Sequence, residues 1–325
     1  MKITIGEIAR VAGVSKGTVS RVINAKTTVA ESTREQVLAV MQRLGYTPDP
    51  VARELSRRSK HTLGIWVGAG ENKLSPYFSL IWRALLREMQ LRATQFIELP
   101  VDITQDRRWF DAVLIFSCSD LQNRLALLKG RNVPVVLIGK HPDISCVAPD
   151  DQGGGRLAAE RLLAHGHRRI LHLTLAEERQ WVQDRIQGFR AALDQAGVPA
   201  ADGAIARGEG SVLGGYRLMR AAWNQGQRPT AVFAATDEMA IGALGALADL
   251  AVAVPEAVSV VGFDGFQELC PALASVAQDI PAIAHAAVSL ALAAIGQHAG
   301  VHHQLVPVSF LDGATLGPAP GAPPS

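Results

Sequence analysis

The chain has 325 residues, 48% of them hydrophobic, and its 32 Lys and Arg against 30 Asp and Glu leave a net charge of +2. This length can bury two or three hydrophobic cores. Three widely spaced cysteines, no signal peptide and no long uninterrupted apolar run exclude a disulfide framework, a secreted protein and a membrane protein, so we expect a soluble cytoplasmic protein.

Residues 4–24 predict two short helices separated by a turn that contains Gly13. The second helix begins after Ser15, whose hydroxyl can cap its exposed N–H groups. Apolar residues recur on the inner side, and the outer side presents Lys16, Gly17, Thr18, Ser20 and Arg21. This pattern is typical of a helix-turn-helix, in which the second helix lies in the DNA major groove.

The charge distribution favours the same interpretation. Residues 1–60 hold 11 Lys and Arg against 5 Asp and Glu, whereas the rest of the chain holds 21 against 25. A basic N-terminal region on a weakly acidic body is typical of a DNA-binding protein, because cations displace counterions from phosphates. A solvated helical surface would also carry such charge, but the helix-turn-helix pattern favours DNA binding.

A third helix is predicted over residues 31–44, with Gly45 as its stop, and it completes a DNA-binding domain over residues 1–46. Ala30 precedes this helix and offers no capping side chain, although Ser32 could cap it one turn late. Residues 47–61 form a linker in which 51–58 could make one or two helical turns. So short a helix is marginal alone, and we expect it to be disordered until something holds it.

From Thr62 onward, strands and helices alternate, which predicts an α/β body of parallel sheets with helices on both faces. We expect two such sheet units with a cleft between them. Only about a dozen residues, 100–111, link two strands, which leaves room for at most a short helical turn. His165 and His167 have poor spacing for a metal site and are interpreted as structural, and residues 317–325 as a flexible tail. The predicted strands are 63–67, 96–99, 112–116, 133–138, 170–175, 231–235 and 258–263, and the helices are 77–92, 156–165, 185–196, 216–225 and 239–250.

Several motifs in this order resemble those of the lactose/galactose-repressor (LacI) family of bacterial transcription regulators. The recognition helix begins Val14-Ser15 and continues through Thr18-Val19-Ser20-Arg21 to Asn24. The body carries His165-Gly166-His167, Thr236-Asp237 and Gly262-Phe263-Asp264. The resemblance covers nearly the whole chain and implies a homodimer that binds a double-stranded, pseudopalindromic operator. It also implies a periplasmic-binding-protein-like core, over residues 62–316, that senses a small molecule.

In such a core the chain crosses three times between its two subdomains. We therefore expect one subdomain over 62–149 with 280–309, and the other over 150–279 with 310–316. By the same resemblance, Lys16, Gly17 and Arg21 read base edges, and Thr4, Thr18, Ser20 and Asn24 contact phosphates. Leu55 matches the hinge leucine that wedges into the minor groove, with Ala52 packed beside it.

The effector residues implied by the resemblance centre on Arg185 and Asp264. Arg185 is expected to open a helix and to hold hydroxyls or a carboxylate, and Asp264 follows a buried strand and accepts hydrogen bonds. An Arg185–Asp264 pair that stabilises the cleft without a ligand is the alternative. Lys140 adds a cation, which suggests a phosphorylated or carboxylated ligand. The remaining lining positions are Phe78, Trp181, Thr236 and Gln278.

The sequence carries none of the phosphate-loop, nucleophile-elbow or complete dinucleotide-loop motifs, so we expect neither an enzyme nor a metal or other cofactor. The predicted function is a DNA-binding regulator, most simply a repressor of carbohydrate-related genes, controlled by a sugar-like or sugar-acid or sugar-phosphate effector. The short segment 100–111 suggests that the response to an effector is altered or absent. A regulator without a small-molecule effector, or one controlled by a protein partner, is therefore the alternative.

Overall fold

The computed structural model describes residues 4–23, 30–44, 46, 61–67, 75–100, 102–104, 108–116, 120–199, 202–296 and 300–321. The chain separates into two compact units, one of Met1–Thr62 with Gln90–Gln95, which holds the N-terminal helices, and one of Leu63–Met89 with Phe96–Ser325, which holds the rest of the body. Of the predicted linker, residues 47–60 lie outside the described residues. The α/β architecture with an N-terminal helix-turn-helix is confirmed.

Among its described residues, the first unit contains the helices α1 (Ile5–Val11), α2 (Lys16–Ile23) and α3 (Glu31–Arg43). Their buried residues form one small core, since Ile8 and Val19 are completely buried and Val37 of α3 packs with them. Ala30 makes no side-chain cap, as the sequence indicates, but the helix still begins at Glu31. Ser32 is therefore inside the helix and does not cap it one turn late.

The first sheet of the body has the strand order β11-β5-β4-β3-β1-β2. Helices α4 and α10 contribute to one core of this sheet, and α5 contributes to the core on its other face. Its strands are β1 (Thr62–Trp66), β2 (Gln95–Glu98), β3 (Ala112–Phe116), β4 (Val135–Ile138), β5 (Cys146–Pro149) and β11 (His303–Val306), and its helices are α4 (Pro76–Leu91), α5 (Leu121–Lys129) and α10 (Ile280–Ala294).

The second sheet has the order β12-β10-β9-β8-β6-β7. Its strand β12 runs antiparallel to β10, whereas its other neighbouring strands pair in parallel. Its strands are β6 (Ile170–Leu175), β7 (Ile205–Gly208), β8 (Ala231–Ala234), β9 (Ser259–Asp264), β10 (Ala274–Gln278) and β12 (Val308–Leu311), and its helices are α6 (Asp151–Ala164), α7 (Gln180–Gln195), α8 (Val212–Asn224) and α9 (Asp237–Asp249).

The chain passes between the two sheets after β5, after β10 and after β11. Because β12 already begins at Val308, the last crossing falls between Val306 and Val308 rather than after residue 309. The helices α6 and α7 each begin five residues earlier than the sequence indicates. Asp150 caps α6 by accepting the Gly153 N–H at 2.9 Å, and the buried stripe of α7 already starts at Val182.

The link from β2 to β3 shows no helix among its described residues. Instead, Leu99, Ile103 and Phe110 are buried against Trp66 and the second face of the first sheet. Arg131 holds the link, since its Nη2 donates to the Ile103 carbonyl at 3.0 Å. Apolar side chains of a loop thus cover the surface that a crossover helix would otherwise cover.

The C-terminal segment is packed as far as Ala319, so the prediction of a flexible tail from residue 317 is wrong for residues 317–319. His167 is completely buried and its Nε2 lies 3.0 Å from the Gly317 carbonyl. Gly317 in turn donates to Ser259 Oγ at 3.0 Å, and Ala319 donates to the His165 carbonyl at 2.8 Å. The prediction that His167 is structural agrees with these contacts.

Candidate functional site

The helix-turn-helix is shaped by two side-chain caps. At the start of α1, Thr4 Oγ1 accepts the Glu7 N–H at 3.3 Å while the Glu7 carboxylate accepts the Thr4 N–H at 2.9 Å. At the start of α2, Ser15 Oγ accepts the Thr18 N–H at 3.0 Å, as the sequence indicates. These caps satisfy backbone donors that a helix start otherwise leaves unpaired. They set where each helix begins and hence which residues of α2 face outward.

The outer face of α2 presents Lys16 and Gly17, which are both exposed, while Val19 is completely buried beneath them. Thr18 is half-buried, and its hydroxyl lies 2.9 Å from Ser15 Oγ. The Lys16 side chain runs close to Gly6 of α1, where an added Cβ would lie 3.2 Å from Lys16 Cε. Lys16 and Gly17 therefore lie next to each other at the exposed N-terminus of α2, where backbone N–H groups also favour anions.

The structure describes the remaining residues predicted to contact DNA only in part. Ser20 and Arg21 lie within α2, and the structure describes their backbone alone. Asn24, Ala52 and Leu55 lie outside the described residues. Their roles in DNA binding stay predictions, as do those of Thr4, Lys16, Gly17 and Thr18.

In the body, Arg185 lies in the interior of α7 rather than at its first residue. Its guanidinium is 5% exposed, and its closest charged partner is Asp151, with 2.8 Å between Nη2 and Oδ1 and 2.9 Å between Nε and Oδ1. Its Nη1 donates to the Ala235 carbonyl and lies 3.9 Å from Asp264 Oδ1. The sequence-predicted pairing with Asp264 is therefore present but secondary to that with Asp151.

Aromatic rings complete the surroundings of this guanidinium. Its central carbon lies 3.4 Å from the ring centre of Phe263 and 4.4 Å from that of Trp181. Both rings thus present their faces to a cation, an attractive arrangement when the cation is desolvated. Trp181 is only half-buried, and here it stacks on Arg185.

Asp264 ends β9 with a backbone φ of +121°, a conformation that side-chain-bearing residues rarely adopt. Its Oδ1 accepts the Gln278 amide N–H at 2.7 Å, and the Gln278 amide oxygen is buried without a hydrogen-bond partner. Burial raises the pKa of Asp264 well above its usual value, although Arg185 opposes the rise. Burial also raises the pKa of Asp151, again against Arg185.

Asp237 is a further buried carboxylate beside these groups. It accepts hydrogen bonds from the Phe266 N–H and from Ser275 Oγ, each at 2.6 Å. Burial raises the pKa of Asp237 to about 6, although both hydrogen bonds favour the ionised form. Because both of its oxygens already have donors, Asp237 supports the ends of β9 and β10 rather than offering an acceptor.

Lys140 and Asp184 join the two sheets. Lys140 follows β4 of the first sheet, and its Nζ forms an ion pair with Asp184 Oδ2 on α7, which packs on the second sheet. Gln180 donates to the other oxygen of Asp184 at 2.8 Å. Lys140 is therefore compensated within the protein. A cavity of about 320 Å³ opens beside this bridge, lined by Lys140, Gln180 and residues of the first sheet and its loops.

The other two predicted effector residues have local roles. Thr236 caps α9 by accepting the Met239 N–H at 3.2 Å. Phe78 packs its ring on Trp82 and Phe116, with centroid distances of 5.6 and 5.4 Å. The structure thus brings Arg185, Asp264, Gln278 and Trp181 together, and it adds three carboxylates that the sequence prediction missed: Asp151, Asp184 and Asp237. Asp151 lies two residues after the end of β5, so the strand-end rule that identified Asp264 could have found it.

The described ranges offer neither a metal site nor a membrane-spanning helix. They contain no group of three His, Cys, Asp or Glu placed to hold a metal ion. No helix among these residues is long and apolar enough to cross a lipid bilayer.

Comparison with known proteins identifies both parts of the chain. Residues 4–49 match the family "Bacterial regulatory proteins, lacI family", and residues 141–316 match the "Periplasmic binding protein-like domain". The HTH-type transcriptional repressor PurR of Proteus mirabilis (strain HI4320) is 33% identical over 307 residues, which is 89% of each chain.

Two solved structures resemble the protein over almost its whole length. One is the lac repressor dimer bound to operator and the anti-inducer ONPF, with 26% identity, a TM-score of 0.74 and coverage of 97% of this chain and 99% of that one. The other is the complex of the transcriptional regulator CelR with cellobiose, with 28% identity, a TM-score of 0.71 and coverage of 96% and 99%.

Proposed function

Because the chain belongs to the lacI family of bacterial regulatory proteins, we propose that it is a repressor that binds a pseudopalindromic operator as a homodimer. The observation that carries this proposal is the capped α2, whose exposed N-terminus presents Lys16 and Gly17 on a basic domain. Arg21 and Lys16 read guanine edges, since a guanidinium can grip two acceptors of one base at once. Thr4, Thr18, Ser20 and Asn24 fix the register on phosphates.

A homodimer is supported by the symmetry of the proposed operator. One α2 reads only one half-site, so two copies related by a two-fold axis are needed for a palindrome. The lac repressor, whose structure this chain resembles, was likewise solved as a dimer bound to operator. Leu55 and Ala52 of the two copies meet the minor groove between the half-sites.

The charges in the body favour a neutral, hydroxyl-rich effector. Arg185 is paired with Asp151 and Lys140 with Asp184, which leaves Asp264 and the Gln278 oxygen as acceptors for ligand donors. An anionic ligand that used either cation would have to break its ion pair. This argues against the sugar acid or sugar phosphate that the charge of Lys140 suggested from the sequence alone. The CelR complex with cellobiose is a solved example of a neutral sugar in a related structure.

Control by the effector follows from a shift between two arrangements of the two sheets. A ligand that binds one arrangement more tightly changes its population, and with it the geometry that two copies present to the operator. The ion pair Lys140–Asp184 spans the two sheets and is therefore a contact that such a shift must make or break.

Selection of bound sites from random DNA tests the proposal. The full-length protein should enrich a palindrome, and a panel of neutral sugars and their phosphates should reveal a neutral sugar that changes its affinity. Lys16→Ala is expected to weaken binding and to relax the preference for one base in each half-site by about 1–3 kcal/mol. Enrichment of no palindrome would overturn the operator proposal, and a response to a sugar phosphate but not to its parent sugar would overturn the effector proposal.

A regulator without a small-molecule effector is the second candidate. It is favoured by the internal compensation of both cleft cations, and by the loop-covered link between β2 and β3. The same selection separates the two: this candidate enriches a palindrome whose affinity no sugar in the panel changes.

A further inference from the structure

Gly6 of α1 lies at a position where the backbone conformation does not require a glycine. It belongs to the first turn of α1 and has the backbone of an ordinary helix. Glycine destabilises a helix relative to alanine, and α1 has only seven residues in which to absorb that loss. The property that distinguishes Gly6 from the other residues of α1 is therefore its missing side chain.

The side chain of Lys16 lies in the space that a side chain at position 6 would occupy. A Cβ placed on Gly6 would be 3.2 Å from Lys16 Cε and 3.6 Å from Lys16 Nζ. Two carbon atoms pack best at about 3.5–4.0 Å, so even one added carbon would press on the lysine. A longer side chain at position 6 would displace the lysine from α1.

Thr4 borders the same space from another side. Its Oγ1 would lie 3.7 Å from the added Cβ. Thr4 is fixed by the cap of α1, because its N–H and its hydroxyl both donate to the Glu7 carboxylate, at 2.9 and 3.3 Å. Lys16 is exposed and has a long flexible side chain, so a new side chain at position 6 would move Lys16 rather than Thr4.

The Lys16 ammonium therefore lies near the Thr4 hydroxyl, above the bare backbone of Gly6. Both groups belong to the proposed DNA-binding surface, Lys16 at a base edge and Thr4 at a phosphate. A lysine that is free in solution loses conformational entropy when it becomes fixed on DNA. Packing of its methylene groups on α1 before binding lowers that loss and limits the directions in which the ammonium points.

We propose that Gly6 is a positioning residue for Lys16 and thereby helps to determine which base Lys16 reads. The inference rests on the proposed DNA-binding function. Because Gly6 has no side chain, Lys16 can lie across the first turn of α1 towards Thr4. A larger residue at position 6 would turn the ammonium away and weaken the base preference in each half-site.

The experiment measures the affinity of the full-length protein for its selected operator and for operators that carry each symmetric base-pair change. Lys16→Ala identifies the base pair whose recognition depends on Lys16. Gly6→Leu places a long apolar side chain where Lys16 lies, and Gly6→Gln places a polar one there. Gly6→Ala is the matched control, because it also removes the glycine from the helix but adds the Cβ alone.

Gly6→Leu and Gly6→Gln should each reduce discrimination at the Lys16-dependent base pair by about fivefold or more, whereas Gly6→Ala should stay within about twofold of the original protein. Preferences at the other base pairs and the half-site spacing should persist. In a Lys16→Ala background, Gly6→Leu should cause no further loss at this base pair, because both changes act through the same side chain.

Unchanged discrimination in both Gly6→Leu and Gly6→Gln would overturn the inference and leave the proposed function intact. Equal losses with and without Lys16 would also contradict it, since the new side chain would then act on the DNA by itself. The same holds for a loss of affinity spread evenly over all base pairs, which is the effect of a destabilised domain, and for a Lys16→Ala variant that relaxes no base pair. Enrichment of no palindrome by the original protein would instead refute the proposed function, and the inference with it.

Discussion

Arg185 and Asp151 form a buried ion pair that joins α7 to the start of α6, with 2.8 Å between Nη2 and Oδ1 and neither side chain more than 5% exposed. The two residues are 34 positions apart. Through its contacts with Ala235 and Asp264, Arg185 also ties these helices to the ends of β8 and β9. The residue that the sequence marks as an effector contact is thus also a structural link.

Replacing Arg185 with Ala should therefore lower the free energy of unfolding by about 3–5 kcal/mol, because it leaves Asp151 buried without its partner. Urea denaturation of the full-length protein measures this. Arg190→Ala, an exposed position on the same helix, should stay within about 0.5 kcal/mol of the original protein. Equal stabilities of the two variants would show that the pair contributes nothing to folding.

The Lys140–Asp184 ion pair should restrain the two sheets relative to each other. In Lys140→Met, amide hydrogen exchange at the start of α7 should accelerate about tenfold, the factor that corresponds to about 1.4 kcal/mol. Mass spectrometry of the exchanged peptides measures the rate. Lys129→Met, at an exposed position on α5, is the matched control and should leave α7 unchanged. Unchanged exchange in the Lys140 variant would argue against a restraining bridge.

His172 should make the protein less stable in acid. It is completely buried and stacked on Phe233, with ring centres 4.4 Å apart, and burial lowers its pKa from 6.5 to about 4. Between these values the unfolded chain binds a proton that the folded protein does not. This contribution to stability is therefore fully present above pH 6.5 and is lost as the pH falls towards 4, by up to about 3 kcal/mol.

His172→Phe keeps the ring stack and removes this titration. The difference in unfolding free energy between the two proteins should then change across pH 6.5 to 4, as measured by urea denaturation at several pH values. Asp237 works in the opposite direction, because its pKa is raised to about 6, so the folded protein takes up a proton first as the pH falls. It is present in both proteins and cancels in the difference. Parallel pH profiles would contradict the assignment to His172.

Removing and adding a helix cap in the N-terminal domain should have opposite effects on the local stability of the capped helix. Ser15→Ala removes the acceptor of the Thr18 N–H, and Ala30→Ser supplies a cap that α3 lacks. Each change is worth about 1 kcal/mol, or about a fivefold change in local opening. Hydrogen exchange of the full-length protein should become faster in α2 of the first variant and slower in α3 of the second. Changes of the same sign in both would contradict the role given to the caps.

The fold could be predicted from the sequence where apolar periodicity is strong. Buried runs such as Ala112–Phe116 and Ile170–Leu175 were located to the residue. The short strands β5, β7 and β10–β12 were missed, because strands of four or five residues with few large apolar side chains do not separate from loops by pattern. The start of α7 was misplaced because no capping side chain marks it.

The sequence by itself determined the helix-turn-helix, since the caps and the buried stripe of α1 and α2 connect residues only three or four positions apart. It also located Arg185, Asp264 and Lys140. Only the tertiary structure decided what these charges do, because their partners lie on elements far along the chain: Asp151 is 34 residues from Arg185, and Asp184 is 44 residues from Lys140. Pairings of this kind depend on which strand ends the packing of the sheets brings together, and the local sequence pattern does not determine this.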